Sequence, residues 1–524
     1  MNNYLNGMKG LILIQIFFSL LDTIAMACIP YLNMILFDTN VSRGFTFLIM
    51  LLGLYVVAMM STSVFQYISQ VYEWKVIKKF NIDVKFDLNK AINKLDNIEF
   101  RKNSIGDYIS MMENDIRTLN LEYIGPMIDI FKAIIQIIVY SIFLFVFVDI
   151  RIAIVILVAS VFAVFIPKLT AKRLSKLKRA HLEKQGKFTE KLKDLLEGHS
   201  QVNIRTRDQF DQVFLSELIE TEEKKFKFGQ FKTFTNVLNG GVMSMVSLSA
   251  IAIVGYLLFH GEITIGAGVA TLGYVESFIY PIRYILDDIN SINSTKETNK
   301  RVTSFLSLKE SELNAHLYNV DQLKCENVKI KLGGFIFGDF TFTFNKGKKY
   351  AIIGHSGSGK STLLNALYKE VKLENGSIQL NDTCLKDIDI SFLIMYIKQR
   401  EHIFDDNSHN NITLFSSYDG QYDFNNPLYD YLYNIDECTK LSGGEKQLIA
   451  YARAKASNCS ILLLDEPFSA MDKNMADVIN KDLLSLENTV IHVTHRLDSE
   501  TLSLYDAVLE IDNGQLKNVI YNTV

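Results

Sequence analysis

The residues best suited to chemistry lie in a glycine-rich stretch, GHSGSGKS, which runs from Gly354 to Ser361. It fits the pattern G-x-x-x-x-G-K-[ST], in which glycines let backbone N–H groups close around phosphates, Lys360 adds a cation and the serine hydroxyl can ligate Mg²⁺. The apolar run Tyr350–Ile353 precedes it and helix-forming residues follow, so the positive end of a helix would point at the same anion. The pattern predicts a site for a phosphate chain, with these candidate ligands: Gly354, His355, Ser356, Gly357, Ser358, Gly359, Lys360, Ser361 and Thr362.

Two carboxylates end an apolar segment further along the chain, in SILLLDEPFSAMD. Four consecutive apolar residues, Ile461–Leu464, predict a buried parallel strand that leads into Asp465 and Glu466. Asp465 could hold the magnesium shell, and Glu466 could polarise an attacking water as a general base. His495 ends another apolar segment, VIHVTHRLD. A lone histidine is more often structural, but together with Lys360 and Glu466 a contact with the γ-phosphate is the better interpretation.

A second surface suited to phosphate lies between these motifs, in LSGGEKQLIAYARA. Ser442 and the backbone amides of Gly443 and Gly444 stand at the start of a predicted helix, where N–H groups and the helix dipole favour anions. The two surfaces could serve two nucleotides, or they could be two halves of one site that a partner chain completes.

The elements before residue 290 are of a different kind. Hydrophobic residues make up 48% of the 524-residue chain, and nearly all long apolar runs lie in this part. A run of about 20 apolar residues can cross a bilayer. The first run is too long for a signal peptide and is followed by more spans. Six candidate spans are Leu11–Phe37, Phe45–Tyr67, Ile124–Val148, Ile152–Leu169, Val237–Phe259 and Ile263–Leu286.

Two long connections, 71–123 and 170–236, separate these spans and are rich in lysine and arginine. By the positive-inside rule both face the cytoplasm, which predicts two cytoplasmic termini. Their apolar residues recur every three to four positions among charges, and both connections lack proline. We therefore expect the membrane helices to continue into the cytoplasm, the alternative being two separate amphipathic surface helices.

Charge and cysteine content exclude other classes of protein. The net charge of −4 gives no electrostatic basis for binding nucleic acid. The five cysteines are scattered without CxxC pairing, so we expect free thiols and neither a disulfide framework nor a zinc site.

The order and spacing of these motifs resemble a cassette of the ATP-binding cassette (ABC) proteins, and LSGGE resembles their signature. The first three hundred residues resemble the six-helix membrane domain of type IV ABC exporters. Within them NIEFRKNSIGDYISMMENDI resembles a cytoplasmic coupling segment, and HGEITIG the turn between the last two spans. The matching cassette positions are Walker A at Gly354–Ser361, a Q-loop glutamine at Gln399, the signature at Leu441–Glu445, Walker B at Ile461–Asp465 with Glu466, a D-loop at Ser469–Asp472 and the switch His495.

The resemblance implies a half-transporter in the lipid bilayer, with an all-α polytopic membrane domain followed by an α/β P-loop NTPase cassette. That membrane domain would have six transmembrane helices with long cytoplasmic extensions. The implied limits are 1–305 for the membrane domain, 306–320 for a linker and 321–524 for the cassette. The Ile-, Asn- and Lys-rich composition is typical of an AT-rich bacterium, so we expect a bacterial inner or plasma membrane.

The resemblance also implies how the site residues share the work. In the family two chains, identical or related, dimerise around two ATP molecules. Each ATP is held by Walker A of one chain and by the signature of the other, here Ser442 and Gly444 with Gly443 between them. The implied catalytic residues are Glu466, His495 and Gln399, the implied Mg²⁺ ligands are Ser361, Gln399 and Asp465, and Asp472 is a further nucleotide contact. We expect an active ATPase.

Three departures from the family pattern stand out. The aromatic residue that usually stacks on adenine is replaced by Leu332, with Phe335 and Phe337 nearby and Tyr350 a less suitable substitute. The region from 411 to 441 is short, so we expect an abbreviated helical subdomain. The signature ends in Glu445, where glutamine is commoner.

Polar residues inside the spans bear on the cargo, because such residues are costly in lipid. Asp129 and Lys132 are three residues apart and could pair along one helix face. Asp22 and Glu276 have no obvious local partner, and we hypothesise that they line a cavity for a polar or cationic cargo. Pairing between helices is the alternative.

The leading interpretation is an exporter of a peptide, natural product, drug or lipid. An importer of siderophore-like cargo on the same fold, and an ATP-gated sensor or immunity protein that moves nothing, remain open.

Overall fold

The computed structural model describes residues 2–38, 44–307, 320–332, 335–418, 432, 435–494 and 499–522. The chain forms two compact units. The first unit combines residues 1–92 with 105–308, and the second combines 93–104 with 309–524. The short segment 93–104 thus interrupts the first unit in sequence but packs within the second.

The first unit is entirely helical in its described part. An α-helix pairs the backbone N–H and C=O groups of its interior within one segment, which is what a span in lipid requires. The helices up to residue 306 are α1 (Asn2–Gly7), α2 (Lys9–Asp38), α3 (Gly44–Asn93), α4 (Asn97–Phe100, in the second unit), α5 (Ile105–Ser110), α6 (Ile116–Leu119), α7 (Gly125–Phe147), α8 (Ile150–Glu197), α9 (Arg207–Phe259), α10 (Ile265–Ser294) and α11 (Lys296–Leu306). Two π-helical turns, Met111–Asp115 and Asn120–Ile124, join α5, α6 and α7 into one continuous rod.

Five of the predicted spans lie in helices that are long and apolar enough to cross a membrane. These helices are Lys9–Asp38, Gly44–Asn93, Ile105–Phe147, Arg207–Phe259 and Ile265–Ser294. Only 6% of the apolar stretch of α3 is buried within the chain, so most of its side chains face outward. The remaining predicted span, Ile152–Leu169, lies in α8, and the side chains of residues 160–168 are outside the described part. Its passage through the membrane stays a prediction.

The prediction that the spans continue as helices through the long connections is confirmed. The helices α3, α8 and α9 contain 50, 48 and 53 residues. At 1.5 Å per residue each is roughly 75 Å long, more than twice the ~30 Å hydrocarbon core of a bilayer. Separate amphipathic surface helices are therefore not what these connections form.

The described residues of the second unit form two sheets. A four-stranded antiparallel sheet has the order β2-β1-β4-β5, and a six-stranded sheet has the order β10-β9-β3-β8-β7-β6. The strands are β1 (Gln322–Leu332), β2 (Phe335–Asn345), β3 (Lys349–Ile353), β4 (Asn375–Leu380), β5 (Thr383–Cys384), β6 (Ile394–Ile397), β7 (Ile461–Asp465), β8 (Thr489–Val493), β9 (Ala507–Asp512) and β10 (Gln515–Tyr521). The helices are α12 (Lys360–Leu367), α13 (Ser408–Thr413), α14 (Gly443–Ala456), α15 (Lys473–Ser485) and α16 (Ser499–Leu502).

The six-stranded sheet brings the sequence motifs to one edge. Its central strands β3, β7 and β8 are almost wholly buried, as expected for near-continuous apolar runs covered on both faces. The strands β3, β8, β7 and β6 are parallel neighbours, so their carboxyl ends lie side by side. In an open α/β sheet ligands bind at that edge.

Candidate active site

The phosphate loop leaves β3 and enters α12 in a conformation that requires glycine. Gly354 has φ 150° and Gly359 has φ 102°, in the range that side-chain-bearing residues rarely adopt. A Cβ on Gly354 would lie 2.1 Å from the Ile511 carbonyl oxygen, and one on Gly359 would lie 2.7 Å from Cδ2 of Phe337. Space as well as backbone geometry therefore explains both glycines.

Lys360 and Ser358 give this loop the polar groups that a polyphosphate needs. The ammonium group of Lys360 donates hydrogen bonds to the carbonyl oxygens of Gly354, at 2.9 Å, and His355, at 2.8 Å. Burial lowers the pKa of Lys360, while the nearby Glu466 and Asp465 carboxylates act to raise it. The buried Ser358 hydroxyl has no hydrogen-bond partner in the described part of the chain. The loop thus fits a bound phosphate chain.

Asp465 ends β7 beside the phosphate loop. The Ser361 hydroxyl hydrogen-bonds to it, and the Tyr396 hydroxyl lies 3.4 Å from its Oδ2 atom. Burial raises the pKa of Asp465, the Glu466 carboxylate adds to this, and the hydrogen bond from Ser361 opposes it. Sequence reasoning missed Tyr396, which the structure brings to Asp465 because β6 pairs in parallel register with β7.

Glu466 follows Asp465 in a left-handed backbone conformation, with φ 50°. Its N–H donates to the Val493 carbonyl oxygen at 3.1 Å, which links β7 to β8 at this point. Its Oε2 atom accepts a hydrogen bond from the Gln399 amide at 3.1 Å. The structure therefore brings the predicted general base and the predicted Q-loop glutamine together.

The segment around Gln399 also meets a buried carboxylate, Glu370, whose side chain is 3% exposed. The Lys398 ammonium lies 2.5 Å from one Glu370 oxygen, and the Arg101 guanidinium lies 2.7 Å from the other. Arg101 follows α4, which Asp96 caps by accepting from the Glu99 N–H at 2.7 Å. Two cations therefore share the buried Glu370 carboxylate: Arg101, which follows α4, and Lys398, which precedes Gln399.

The same segment is tied to the signature helix α14. The Lys398 N–H donates to Oε1 of Glu401 at 2.6 Å, and Glu401 Oε2 lies 3.8 Å from the buried Arg453 guanidinium. Arg453 also donates from Nε to the Asn411 carbonyl oxygen at 2.8 Å. Burial lowers the pKa of Arg453, and the Glu401 carboxylate acts to raise it.

The signature begins α14 with a capping box. The Ser442 N–H donates to Oε2 of Glu445 at 2.7 Å, and the Glu445 N–H donates to the Ser442 hydroxyl at 3.4 Å. Hydrogen bonds from Ser442 lower the pKa of Glu445. Glutamic acid is suited to this place, because a carboxylate at the third helical position completes the box.

The signature packs against the D-loop of the same chain. A Cβ on Gly443 would lie 3.3 Å from Cβ of Ala470, and one on Gly444 would lie 3.2 Å from its carbonyl oxygen. Within the described residues, the hydrogen bonds of Ser442 join it to Glu445 and, through its carbonyl oxygen, to the Lys446 N–H, and none joins it to the phosphate loop. Asp472 is the N-cap of α15 and accepts from the Met475 N–H at 3.0 Å.

Not every predicted site residue can be placed. His495 lies outside the described residues, as does most of the short subdomain between 411 and 441. The structure sets Gly354–Ser361, Asp465, Glu466 and Gln399 at one edge of the sheet, and it packs Gly443 and Gly444 of the signature against Ala470 of the D-loop.

Two of the candidates for contact with adenine, Phe337 and Tyr350, are buried in the core. Phe337 is 0% exposed, and the Tyr350 hydroxyl accepts from the Asn345 N–H at 2.8 Å. Leu332 is exposed, and Phe335 is partly buried with its Cζ atom 3.2 Å from where a Gly359 Cβ would lie. Phe335 therefore combines a partly accessible ring with a position beside the phosphate loop.

In the first unit the two residues predicted to contact cargo, Asp22 and Glu276, do not lie in the same cavity. Asp22 lines a polar cavity between α2, α3, α7 and α10. Glu276, on α10, is exposed and is not among the residues that line this cavity. Asp129 and Lys132 form the pair that their spacing suggests, at 3.2 Å.

Known families account for both units. A family model described as the ABC transporter transmembrane region matches residues 12–282, more than half of the chain. A model described as ABC transporter matches residues 337–469. The chain belongs to the ABC transporter family.

Individual relatives and one solved structure agree with this. A probable ABC transporter ATP-binding/permease protein of Haemophilus influenzae is 27% identical over 92% of this chain and 91% of its own length. An ATP-dependent lipid A-core flippase of the same species is 25% identical over 80% of this chain and 76% of its own length. A bacterial Atm1-family ABC exporter solved with ATP bound has 18% identity and a TM-score of 0.81, covering 98% of this chain and 95% of that one.

The predicted resemblance is thereby confirmed. The ABC chain is a half-transporter, with a helical membrane domain and an ATP-binding cassette fused in one multi-pass membrane protein. The cassette is an ATPase coupled to transport.

Proposed function

We propose that this ABC half-transporter works in a dimer as an ATP-driven exporter, with two ATP sites that each chain only half supplies. The observation that carries the proposal is that, among the described residues, no hydrogen bond joins Ser442 of the signature to the phosphate loop of its own chain. The phosphate loop, Asp465, Glu466 and Gln399 share one sheet edge, whereas the signature of the same chain packs on the D-loop. A signature from a second chain would complete the phosphate site with the N–H groups at the start of α14.

Within each site we assign separate tasks. The glycine loop and Lys360 bind the phosphates of ATP, and Mg²⁺ would bind to Ser361, Asp465 and Gln399, where it would offset charge on the transferred phosphoryl group. Glu466 accepts a proton from the attacking water, and Gln399 orients the Glu466 carboxylate through the hydrogen bond already present. His495 would contact the γ-phosphate.

Export is the favoured direction because relatives named for export or flipping share most of the chain. They include the H. influenzae flippase and a putative multidrug export protein of Bacillus subtilis, which is 24% identical over 86% of this chain. The positive-inside pattern supports both termini in the cytoplasm of a bacterium, with the cassette on the ATP-containing side. The cargo would then enter from the cytoplasm or the inner leaflet.

Transport by inside-out proteoliposomes tests the proposal. The purified chain is reconstituted, and accumulation of labelled lipids, peptides and amphiphiles is measured with and without ATP. We expect ATP-dependent accumulation of at least one class, and none in vesicles that carry Glu466→Gln, because that change removes the general base. Net movement in the opposite direction would instead favour an importer. Ligand-stimulated hydrolysis without movement of any probe would reject transport.

A further inference from the structure

A cavity of about 410 Å³ lies among α2, α3, α7 and α10, inside the first unit. Its volume falls in the range of pockets that hold one small organic molecule. Ser19 and Ser69 add hydroxyl groups to its wall, and Gln66, Gln70 and Gln136 add amides. Such a wall is unusually polar for the interior of a membrane helix bundle, where polar groups are costly and mark functional sites.

The charged groups of this wall do not balance. Among the described residues, four carboxylates and one ammonium group line it: Asp22, Glu73, Asp129, Asp288 and Lys132. The single lysine is already paired twice, with Glu73 at 2.7 Å and with Asp129 at 3.2 Å. The cavity therefore carries an excess of negative charge that the described residues do not neutralise.

Two carboxylates of the cavity wall, and one amide oxygen behind it, have no donor among the described residues. Asp22 and Asp288 form no hydrogen bond or ion pair with any residue that the structure describes, and the Oδ2 atom of Asp288 is fully buried. Behind the wall, Gln15 is 0% exposed and donates from Nε2 to Glu73 at 3.1 Å, but its Oε1 atom has no partner there. Buried acceptors without donors cost free energy, and a ligand that brings several N–H donors would remove that cost.

The spacing of the carboxylates favours an organic cation over a metal ion. Among the described residues, no group of three or more His, Cys, Asp or Glu side chains is placed to hold a metal. The acceptors are instead distributed over four helices, and the Tyr284 ring adds an aromatic surface to the wall. Extended acceptors with an aromatic ring suit an ammonium or guanidinium group on an apolar body.

We infer that this cavity binds an organic cation carrying an ammonium or guanidinium group, and that Asp22 and Asp288 are its charge partners. The inference rests on the proposed function, in which the bound cation is the cargo. Selection is by charge: a cation satisfies the two carboxylates, whereas a neutral molecule of the same shape leaves them without a partner of opposite charge.

A matched pair of probes tests this. Dansylcadaverine carries a primary ammonium group, and its N-acetylated form has the same fluorophore and chain without the charge. Binding of each is measured by fluorescence to the full-length chain in lipid nanodiscs, without nucleotide. We expect the cation to bind at least about tenfold more tightly, because opposite charges attract strongly in a site of low dielectric constant.

Variants then test which side chains cause the preference for the cationic probe. Asp22→Asn combined with Asp288→Asn should abolish it, whereas Asp22→Glu, which keeps the charge, should retain it. Asp287→Asn is the matched control, because Asp287 is the exposed neighbour of Asp288 and is not part of the cavity wall. If the double variant does not fold, the comparison of the two probes on the unaltered chain still decides the matter.

Two results would overturn the inference: equal affinity for both probes on the unaltered chain, or an unchanged preference in a folded double variant. Because binding is measured without ATP, its outcome is independent of export. A preserved preference without ATP-driven accumulation would reject the exporter and keep the cation site. Equal affinity for the two probes together with ATP-driven accumulation would reject the cation site and keep the exporter.

Discussion

Glu466 holds its place at the end of β7 at some cost in backbone energy. A non-glycine residue in the left-handed region costs about 1–3 kcal/mol and persists only where its surroundings fix it. Here the Glu466 N–H bonds to Val493 and its carboxylate bonds to Gln399. Such conformations cluster at functional sites, which agrees with the role of general base that we assign.

Replacing Glu466 by glutamine should remove that role with little change in shape. We expect ATP hydrolysis to fall by roughly 10²–10⁴-fold, the usual contribution of a general base, while ATP binding is kept. Phosphate release under single-turnover conditions measures the rate of hydrolysis, and retention of bound nucleotide measures ATP binding. Glu487→Gln is the control, since Glu487 is exposed and lies just before β8. Normal hydrolysis in the Glu466 variant would show that another group accepts the proton.

Phe335 is the residue that we expect to stack on adenine. Stacking of a base on an aromatic ring is worth about 1–3 kcal/mol, so Phe335→Ala should weaken ATP binding by roughly fivefold or more. Inorganic triphosphate has no base, so its affinity should not change. Titration of both ligands against the variant, with Phe335→Tyr as the conservative control, separates a contact with the base from damage to the phosphate loop. An equal loss for the two ligands would contradict the assignment.

At the scale of elements, the segment between β6 and α13 connects several parts of the second unit. Gln399 of this segment contacts Glu466, and Lys398 contacts Glu370, which also pairs with Arg101. Glu401 of the same segment contacts Arg453 of α14. Arg101 belongs to the stretch 93–104, which joins two helices of the first unit in sequence yet packs within the second. A change at Arg101 can therefore reach the general base through a short series of contacts.

Loss of this ion-pair cluster should lower the rate of hydrolysis more than the affinity for ATP. A hydrogen bond to a charged group is worth about 1.5–3 kcal/mol, so Glu370→Gln should slow turnover by roughly tenfold through a displaced Gln399. In a double-mutant cycle, Arg101→Ala should add little once Glu370 is changed, because the two share one interaction.

The adjacent residue provides the control for that cycle. Lys102 is exposed and pairs only with Glu99 among the described residues, so Lys102→Ala should leave turnover unchanged. Fully additive effects of the Arg101 and Glu370 variants on turnover would mean that the cluster does not act as a unit.

The sequence predicts those elements well whose signals are local. The glycine loop, the apolar strand before Asp465 and the long helices all follow from residues adjacent in the chain. The sequence did not predict contacts between distant residues. Arg101 and Glu370 are 269 positions apart, and no local pattern near either residue indicates the other. The burial of Phe337 and the exposure of Glu276 also depend on how the elements pack. The spacing of residues in the sequence therefore could not show that Phe337 is inaccessible to adenine or that Glu276 lies outside the cavity.

At the scale of the whole molecule, each unit contains a site that its own residues leave incomplete. In the second unit the signature glycines pack on the D-loop, and no hydrogen bond of the described residues joins Ser442 to the phosphate loop of its own chain. In the first unit Asp22 and Asp288 have no cationic partner among the described residues. A second chain would complete the former, and a cationic cargo would complete the latter.

The most direct test of the central claim, an ATP site shared between two chains, is complementation between two inactive variants. Lys360→Ala disables the phosphate loop, and Ser442→Arg blocks the signature. In a mixed dimer one site carries both defects and the other carries none. We predict that each variant alone is inactive and that an equal mixture recovers up to about a quarter of the normal ATPase rate, because half of the dimers are mixed. No recovery, in mixtures shown by crosslinking to contain mixed dimers, would contradict the account.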